Sequence, residues 1–127
     1  MSCPFCLRID AGDFTSSNGS AVAFPDAYPL TRGHLLVVPQ RHITALEELT
    51  EDELDDIWRL GTSLSLKLQQ ELGTTSFNLG INIGRAAGQT VEHLHLHVIP
   101  RYEGDVDDPR GGIRWVVPER AQYWLGQ

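Results

Sequence analysis

The stretch Thr90-Val91-Glu92-His93-Leu94-His95-Leu96-His97-Val98-Ile99, closed by Pro100, alternates polar and apolar residues with a period of two over most of its length. That spacing predicts a strand over 90–99, because successive strand side chains point to opposite faces of a sheet. His93, His95 and His97 then share one face, with Cα atoms stepping by about 6.6–6.8 Å, while Leu94, Leu96 and Val98 pack inward. A lone strand histidine is ordinarily a satisfied polar residue on a half-exposed sheet. Three in register, separated by leucines, point to chemistry. Alternating imidazoles can converge on a catalytic metal. Alternatively, one neutral imidazole can act as a nucleophile while its neighbours fix its tautomer and hold the electrophile.

The rest of the chain supplies partners for this strand. Residues 34–38, 20–24 and 76–83 carry strand patterns bounded by Gly or Pro, and 113–117 predicts a short edge strand. Thr50 and Glu53 form a capping box, followed by Leu54, Ile57, Trp58, Leu64, Leu68 and Leu72 at helical spacing and then Gly73. A helix over 51–72 with one apolar face follows, preceded by a helical turn at 44–49. Residues 3–20 are expected to form a knuckle and a turn. With no internal repeat and no long linker, the economical architecture is one α+β domain, 1–127, built on an antiparallel sheet.

Composition narrows the function. The 127 residues are 41% hydrophobic and 21% charged, which excludes a disordered chain. No apolar run approaches the roughly 18 residues of a membrane span, and the start lacks signal-peptide features, so the expected location is the cytoplasm. The net charge is −7, and nine of the ten basic residues are scattered arginines, so no clustered surface for a long nucleic acid is expected. Seven acids between Glu47 and Asp56 predict a solvated helix face.

Upstream of the histidines, residues 82–90 run Asn-Ile-Gly-Arg-Ala-Ala-Gly-Gln-Thr. The turn is rich in backbone N–H groups, and Gln89 and Thr90 add neutral donors, a combination suited to phosphate oxygens. On their own, Asn82, Thr90, His34 and Asp26 are ordinary strand or turn residues. Cys3 and Cys6, two residues apart, are half of a zinc site or a redox pair. Since Cys6 opens no convincing helix pattern, metal binding is favoured.

Taken together, His93-Leu94-His95-Leu96-His97-Val98-Ile99, the flanking Gly88-Gln89-Thr90-Val91 and Pro100-Arg101, Asp26, the 33–39 strand and the Cys3/Cys6 start resemble the histidine triad (HIT) family over roughly residues 3–101. The likeness is to bacterial HIT nucleotide hydrolases, similar to diadenosine polyphosphate hydrolases and histidine-triad nucleotide-binding proteins. It implies a HIT-like antiparallel sheet with one long and one short helix, usually dimeric. It further implies that His95 attacks the α-phosphorus of a purine nucleotide to give a nucleotidyl-histidine intermediate, which water hydrolyses to a nucleoside monophosphate. A main-chain carbonyl near the first histidine would take the proton on the nucleophile's other nitrogen.

By the same resemblance, His97, His34 and Gln89 assist catalysis. Asp26, Asn82, Gln89, Thr90 and His97 bind the nucleotide, and Phe5 and Phe24 line the base pocket together with Leu7 and Leu36. His42 and His93 complete a structural zinc site with Cys3 and Cys6, and no divalent ion is needed for the chemistry. Residues 102–127 form a C-terminal tail in which Trp115 and Trp124 could meet a partner. Other functions compatible with the sequence are a nucleotide-binding regulator with little turnover, a nucleotidyltransferase using phosphate as acceptor, and a metalloenzyme ligated by His93, His95 and His97.

Overall fold

The computed structural model describes residues 2–126. Five strands, β1 (Ser16–Asn18), β2 (Ala21–Pro25), β3 (Leu35–Pro39), β4 (Ser76–Ile81) and β5 (Leu96–Arg101), form one sheet in the order β1-β2-β3-β5-β4. Every neighbouring pair is antiparallel. The helices are α1 (Pro4–Asp10), α2 (Glu51–Leu72) and α3 (Pro118–Ala121), with short 3₁₀ turns between. The fold is thus the expected α+β class, with β5 between β3 and β4.

The capping box starts α2 as anticipated. Thr50 Oγ1 accepts from the Glu53 N–H at 3.1 Å, and Glu53 Oε1 accepts from the Thr50 N–H at 3.0 Å. The buried stripe differs from the expected one. Leu54 and Trp58 are exposed, while Ile57, Leu60, Gly61, Leu64 and Leu68 face the sheet. Gly61 sits at the closest approach, where a Cβ would come within 2.7 Å of Leu96 Cδ2. The acidic run is not wholly solvated either. Glu53 is buried against Arg41 at 2.8 Å, and Asp56 accepts from both the N–H and the hydroxyl of Ser20 at 2.8 Å.

Two apolar clusters lie on opposite faces of the sheet. Ala21, Ala23, Val37, Leu96 and Val98 pack against α2. Val22, Phe24, Leu36 and Val38 pack with Phe5 of α1. Alternation along β2, β3 and β5 produces this division.

Four expectations need correction. The N-terminal knuckle contains a helix, started by Pro4 in its first turn and by Cys3, whose sulfur accepts from the Cys6 N–H at 3.4 Å. β1 pairs Ser16–Asn18 with Ala21–Ala23, a short polar strand without an apolar signature. Residues 113–117 form no strand; Gly112–Val116 is a 3₁₀ helix. Finally, the ladder of β5 begins at Leu96 rather than at residue 90. The reason lies in the backbone partners just before it. The Leu94 N–H goes to the Ile43 carbonyl at 2.6 Å, and the His93 carbonyl lies 2.8 Å from the His95 ring, so neither is left for pairing.

Candidate active site and metal centre

The sheet register places Phe24, Leu36, His97 and Gly80 in one row across β2, β3, β5 and β4. A Cβ on Gly80 would meet nothing within 4 Å, so space lies beside His97. The ring of His95 is 5.0 Å from that of His97 and 5.1 Å from that of Phe5, which also lies 5.8 Å from His93. All three imidazoles therefore line the face that carries α1, as the alternation requires.

Hydrogen bonds assign the tautomers. His95 Nδ1 is 2.8 Å from the His93 carbonyl, which can only accept, so Nδ1 carries the hydrogen. In the neutral ring Nε2 is then a free lone pair, on a residue only 7% exposed. His93 Nε2 likewise faces the Pro39 carbonyl at 2.8 Å, which leaves His93 Nδ1 as its lone pair. That nitrogen lies 3.4 Å from Cys3 Sγ and 3.5 Å from Cys6 Sγ, and His42 Nδ1 lies 3.2 Å from Cys6 Sγ. The edge of a tetrahedron with zinc–sulfur and zinc–nitrogen bonds of ordinary length is about 3.5 Å. Cys3, Cys6, His42 and His93 thus form a group able to hold a metal. The Pro39 carbonyl behind His93 supplies the outer hydrogen bond typical of metal-binding imidazoles. Burial first, and then the neighbouring Cys3, raise the Cys6 thiol pKa, an ionisation cost that a cation would offset.

A second cluster joins Asp26, His34 and His97. Gly33, at φ +92°, brings the chain into β3 so close to Leu72 that a Cβ would come within 2.6 Å of Leu72 Cδ1. The next residue, His34, is 2% exposed, with Nε2 at 2.9 Å from His97 Nδ1 and 3.4 Å from Asp26 Oδ2. Burial pushes His34 and His97 below the usual histidine range, His97 to about 4, with His95 and then His34 adding to the depression at His97 and Asp26 opposing it. Asp26 Oδ1 also accepts the Tyr28 N–H at 2.8 Å, a local turn. A concavity of about 560 Å³ opens beside Asp26 and His34. A larger one, about 820 Å³, lies along α2 near Trp58 and Leu66, away from any histidine.

The remaining expected residues are placed as follows. Asn82 is half-buried one residue past Ile81, whose β5 partner is Leu96, so extending the register sets Asn82 alongside His95. Thr90 is exposed. Gln89 braces its own turn, its Oε1 accepting from the Gly84 N–H at 2.8 Å and its Nε2 donating to the Val91 carbonyl at 3.2 Å. Phe5 and Phe24 are buried, and the Arg8 guanidinium covers Phe24 at 4.2 Å from the ring centroid, whereas Leu7 is exposed. Sequence reasoning missed Arg8 and two backbone groups, the Pro39 carbonyl and the Leu30 amide. Backbone groups leave no side-chain signal.

Three alternating histidines on one face of an antiparallel α+β sheet, with His34 beside the third, are the arrangement of the histidine triad class. The HIT domain model matches residues 11–104, and the chain belongs to the HIT family. An uncharacterized HIT-like protein of Methanocaldococcus jannaschii is 38% identical over 106 residues, covering 81% of each chain. The bis(5'-nucleosyl)-tetraphosphatase (asymmetrical) of Schizosaccharomyces pombe is 36% identical over 88 residues, covering 69% of this chain and 48% of that one. Among solved structures, a zinc-bound histidine triad protein from Mycobacterium smegmatis superposes with a TM-score of 0.72 at 30% identity, covering 100% of this chain and 99% of the other.

Proposed function

We propose that the protein is a nucleotide hydrolase that cleaves at the α-phosphate of a dinucleoside polyphosphate or nucleoside phosphoramidate. The observation that carries this reading is the bond from His95 Nδ1–H to the His93 carbonyl, which in the neutral ring puts the lone pair on Nε2. The tetraphosphatase relative supports the substrate class. The Nε2 lone pair forms a bond to the α-phosphorus as the bond to the leaving group breaks, and the leaving group takes a proton from solvent. Water then attacks the nucleotidyl-imidazole, the P–N bond breaks, the water's proton returns to solvent, and a nucleoside monophosphate departs with His95 restored. His97 is the donor beside the reacting phosphate. Asp26 is the acid for the ribose hydroxyls, and Asn82, Gln89 and Thr90 surround the phosphate.

The metalloenzyme alternative is disfavoured, because the free ring nitrogen of His93 faces Cys3 and Cys6, and no group of clustered ligand atoms among the described residues joins His93, His95 and His97. Zinc belongs instead to Cys3, Cys6, His42 and His93, as a structural ion joining α1 to the segments around β3 and His93. The whole chain acts as one domain, with residues 1–10 as the zinc knuckle and 102–127 as the tail. The exposed Ile113, Val116, Tyr123 and Leu125 support a homodimer through that tail.

The test is trapping. The protein is incubated with a slowly leaving AMP ester, denatured and mapped by mass spectrometry. An adenylyl group on His95 is expected; a label elsewhere overturns the assignment. Metal analysis is expected to give one zinc per chain, lost in Cys3→Ser.

A further inference from the structure

The Asp26, His34 and His97 cluster has the composition of a metal site, two imidazoles and a carboxylate. Its hydrogen bonds point elsewhere. The Leu30 N–H donates to His34 Nδ1 at 3.0 Å, so Nδ1 is a lone pair. A neutral His34 must then carry its hydrogen on Nε2, the atom that faces His97 Nδ1 at 2.9 Å and Asp26 Oδ2 at 3.4 Å. The reverse arrangement, with His97 Nδ1–H donating, would strip His34 of both ring hydrogens and leave an imidazolate. A doubly protonated His34 would set Nδ1–H against the Leu30 N–H. His34 therefore donates to His97 Nδ1, which accepts, with Asp26 Oδ2 nearby at 3.4 Å. The hydrogen of a neutral His97 is left on Nε2.

We infer that the Leu30 backbone amide sets the tautomer of His97 through His34, making His97 Nε2 a hydrogen-bond donor in the site and keeping this cluster free of metal. Leu30 and His34 are positioning residues, since neither needs to touch substrate. This contrasts with His93, where a carbonyl behind the ring frees the lone pair that faces the cysteines. A donor behind one imidazole and an acceptor behind the other give adjacent clusters opposite chemistry. Burial supports the neutral forms, as both histidines lie below their ordinary range. The catalytic part of the inference rests on the hydrolase reading above; the tautomer part does not.

Long-range ¹H–¹⁵N spectra of the folded protein at neutral pH read the ring nitrogens directly, without turnover. His34 and His97 are both expected with unprotonated Nδ1 and protonated Nε2. A His97 with hydrogen on Nδ1, or zinc-induced shifts of the His34 and His97 nitrogens on titration, overturns the inference. Beyond what Leu30→Ala removes, Leu30→Pro deletes the amide hydrogen and fixes φ at about −65°, at a side chain that is 73% exposed. Relative to Leu30→Ala, Leu30→Pro is expected to lower kcat about tenfold with KM within about twofold, and to mix the His97 tautomers. Equal kcat for the two variants, with His97 unchanged, overturns the inference. If His95 traps no nucleotide while the nitrogen assignments hold, the hydrolase reading fails and the tautomer relay stands.

Discussion

Leu96 and His97 are consecutive residues of β5, yet they belong to surfaces organised by different physics. Leu96 is fully buried and meets α2 at Gly61, in a face held mainly by apolar area. His97 faces the opposite side, where every imidazole nitrogen that has a partner takes a backbone group, a cysteine, an aspartate or another ring. One face has many interchangeable contacts and tolerates loss by degrees. The other depends on where single hydrogens sit, so one substitution changes its chemistry without changing its shape. The largest effect separating the faces is expected at His95. His95→Ala should lower kcat at least about 10³-fold, roughly 4 kcal/mol of barrier, while nucleotide binding and the unfolding midpoint change little. Isothermal titration of a nucleoside monophosphate alongside turnover checks it, and retained turnover would remove the functional distinction.

The opposite result is expected across the sheet. Ile57 is 1% exposed and packs in the α2 cluster. Ile57→Ala is expected to destabilise the fold by about 2–5 kcal/mol through lost transfer energy and a residual cavity. Below the new midpoint, kcat per folded molecule should match the parent. Urea unfolding paired with turnover at low temperature measures both, and a parallel fall in kcat would show that the two faces are coupled through β5.

How much of this was legible in the sequence follows the same division. The α2 cap, the helix length and four of the five strands come from periodicities set by side chains that either bury or do not. β1 escaped because three polar residues pair by backbone alone, and α1 because its start depends on a sulfur acting as a cap. The histidine row was legible as three residues on one face. Its strand is shorter than the alternation predicts, because the His93 carbonyl and the Leu94 amide take partners that no pattern encodes. The resemblance to a known family brought Asp26, His34 and His42 into the site. The tautomers, which decide what each ring can do, depend on Leu30, His93 and Pro39 backbone atoms and became readable only in three dimensions.

Glu53 is a charged exception within the apolar face and gives a smaller effect. The Arg41 hydrogen bonds foremost, with help from Thr50, hold its carboxyl at about 2, well below the usual value. Its stabilisation is complete above the ordinary carboxylate pKa and is lost as pH falls toward about 2. Because Arg41 is half exposed, solvent screening trims the pair to roughly 1–2 kcal/mol. Glu53→Gln should lose that much at pH 7, and the difference from the parent should shrink as the pH approaches 2. A constant difference between pH 7 and 3 would mean that the side-chain hydrogen bonds, rather than the charge, hold α2 to Arg41.

The histidine face should reveal itself last, as a slope. His34 and His97 are held neutral by burial, so the unfolded chain binds protons that the folded chain refuses. A base with a depressed folded pKa adds nothing above its unfolded value near 6.5 and costs stability below it, with the loss at His97 growing until about 4. Stability should therefore decline as pH falls from 6.5 toward 4, by no more than about 1.4 kcal/mol per pH unit for each histidine. In that window Glu53 still contributes most of its stabilisation, and the part of the decline that His97→Asn removes belongs to the histidine face. His97→Asn should flatten part of the slope and Ile57→Ala should leave it unchanged. A slope equally steep in His97→Asn would mean that protonation of the site is accommodated without disturbing the tautomer chain that begins at Leu30.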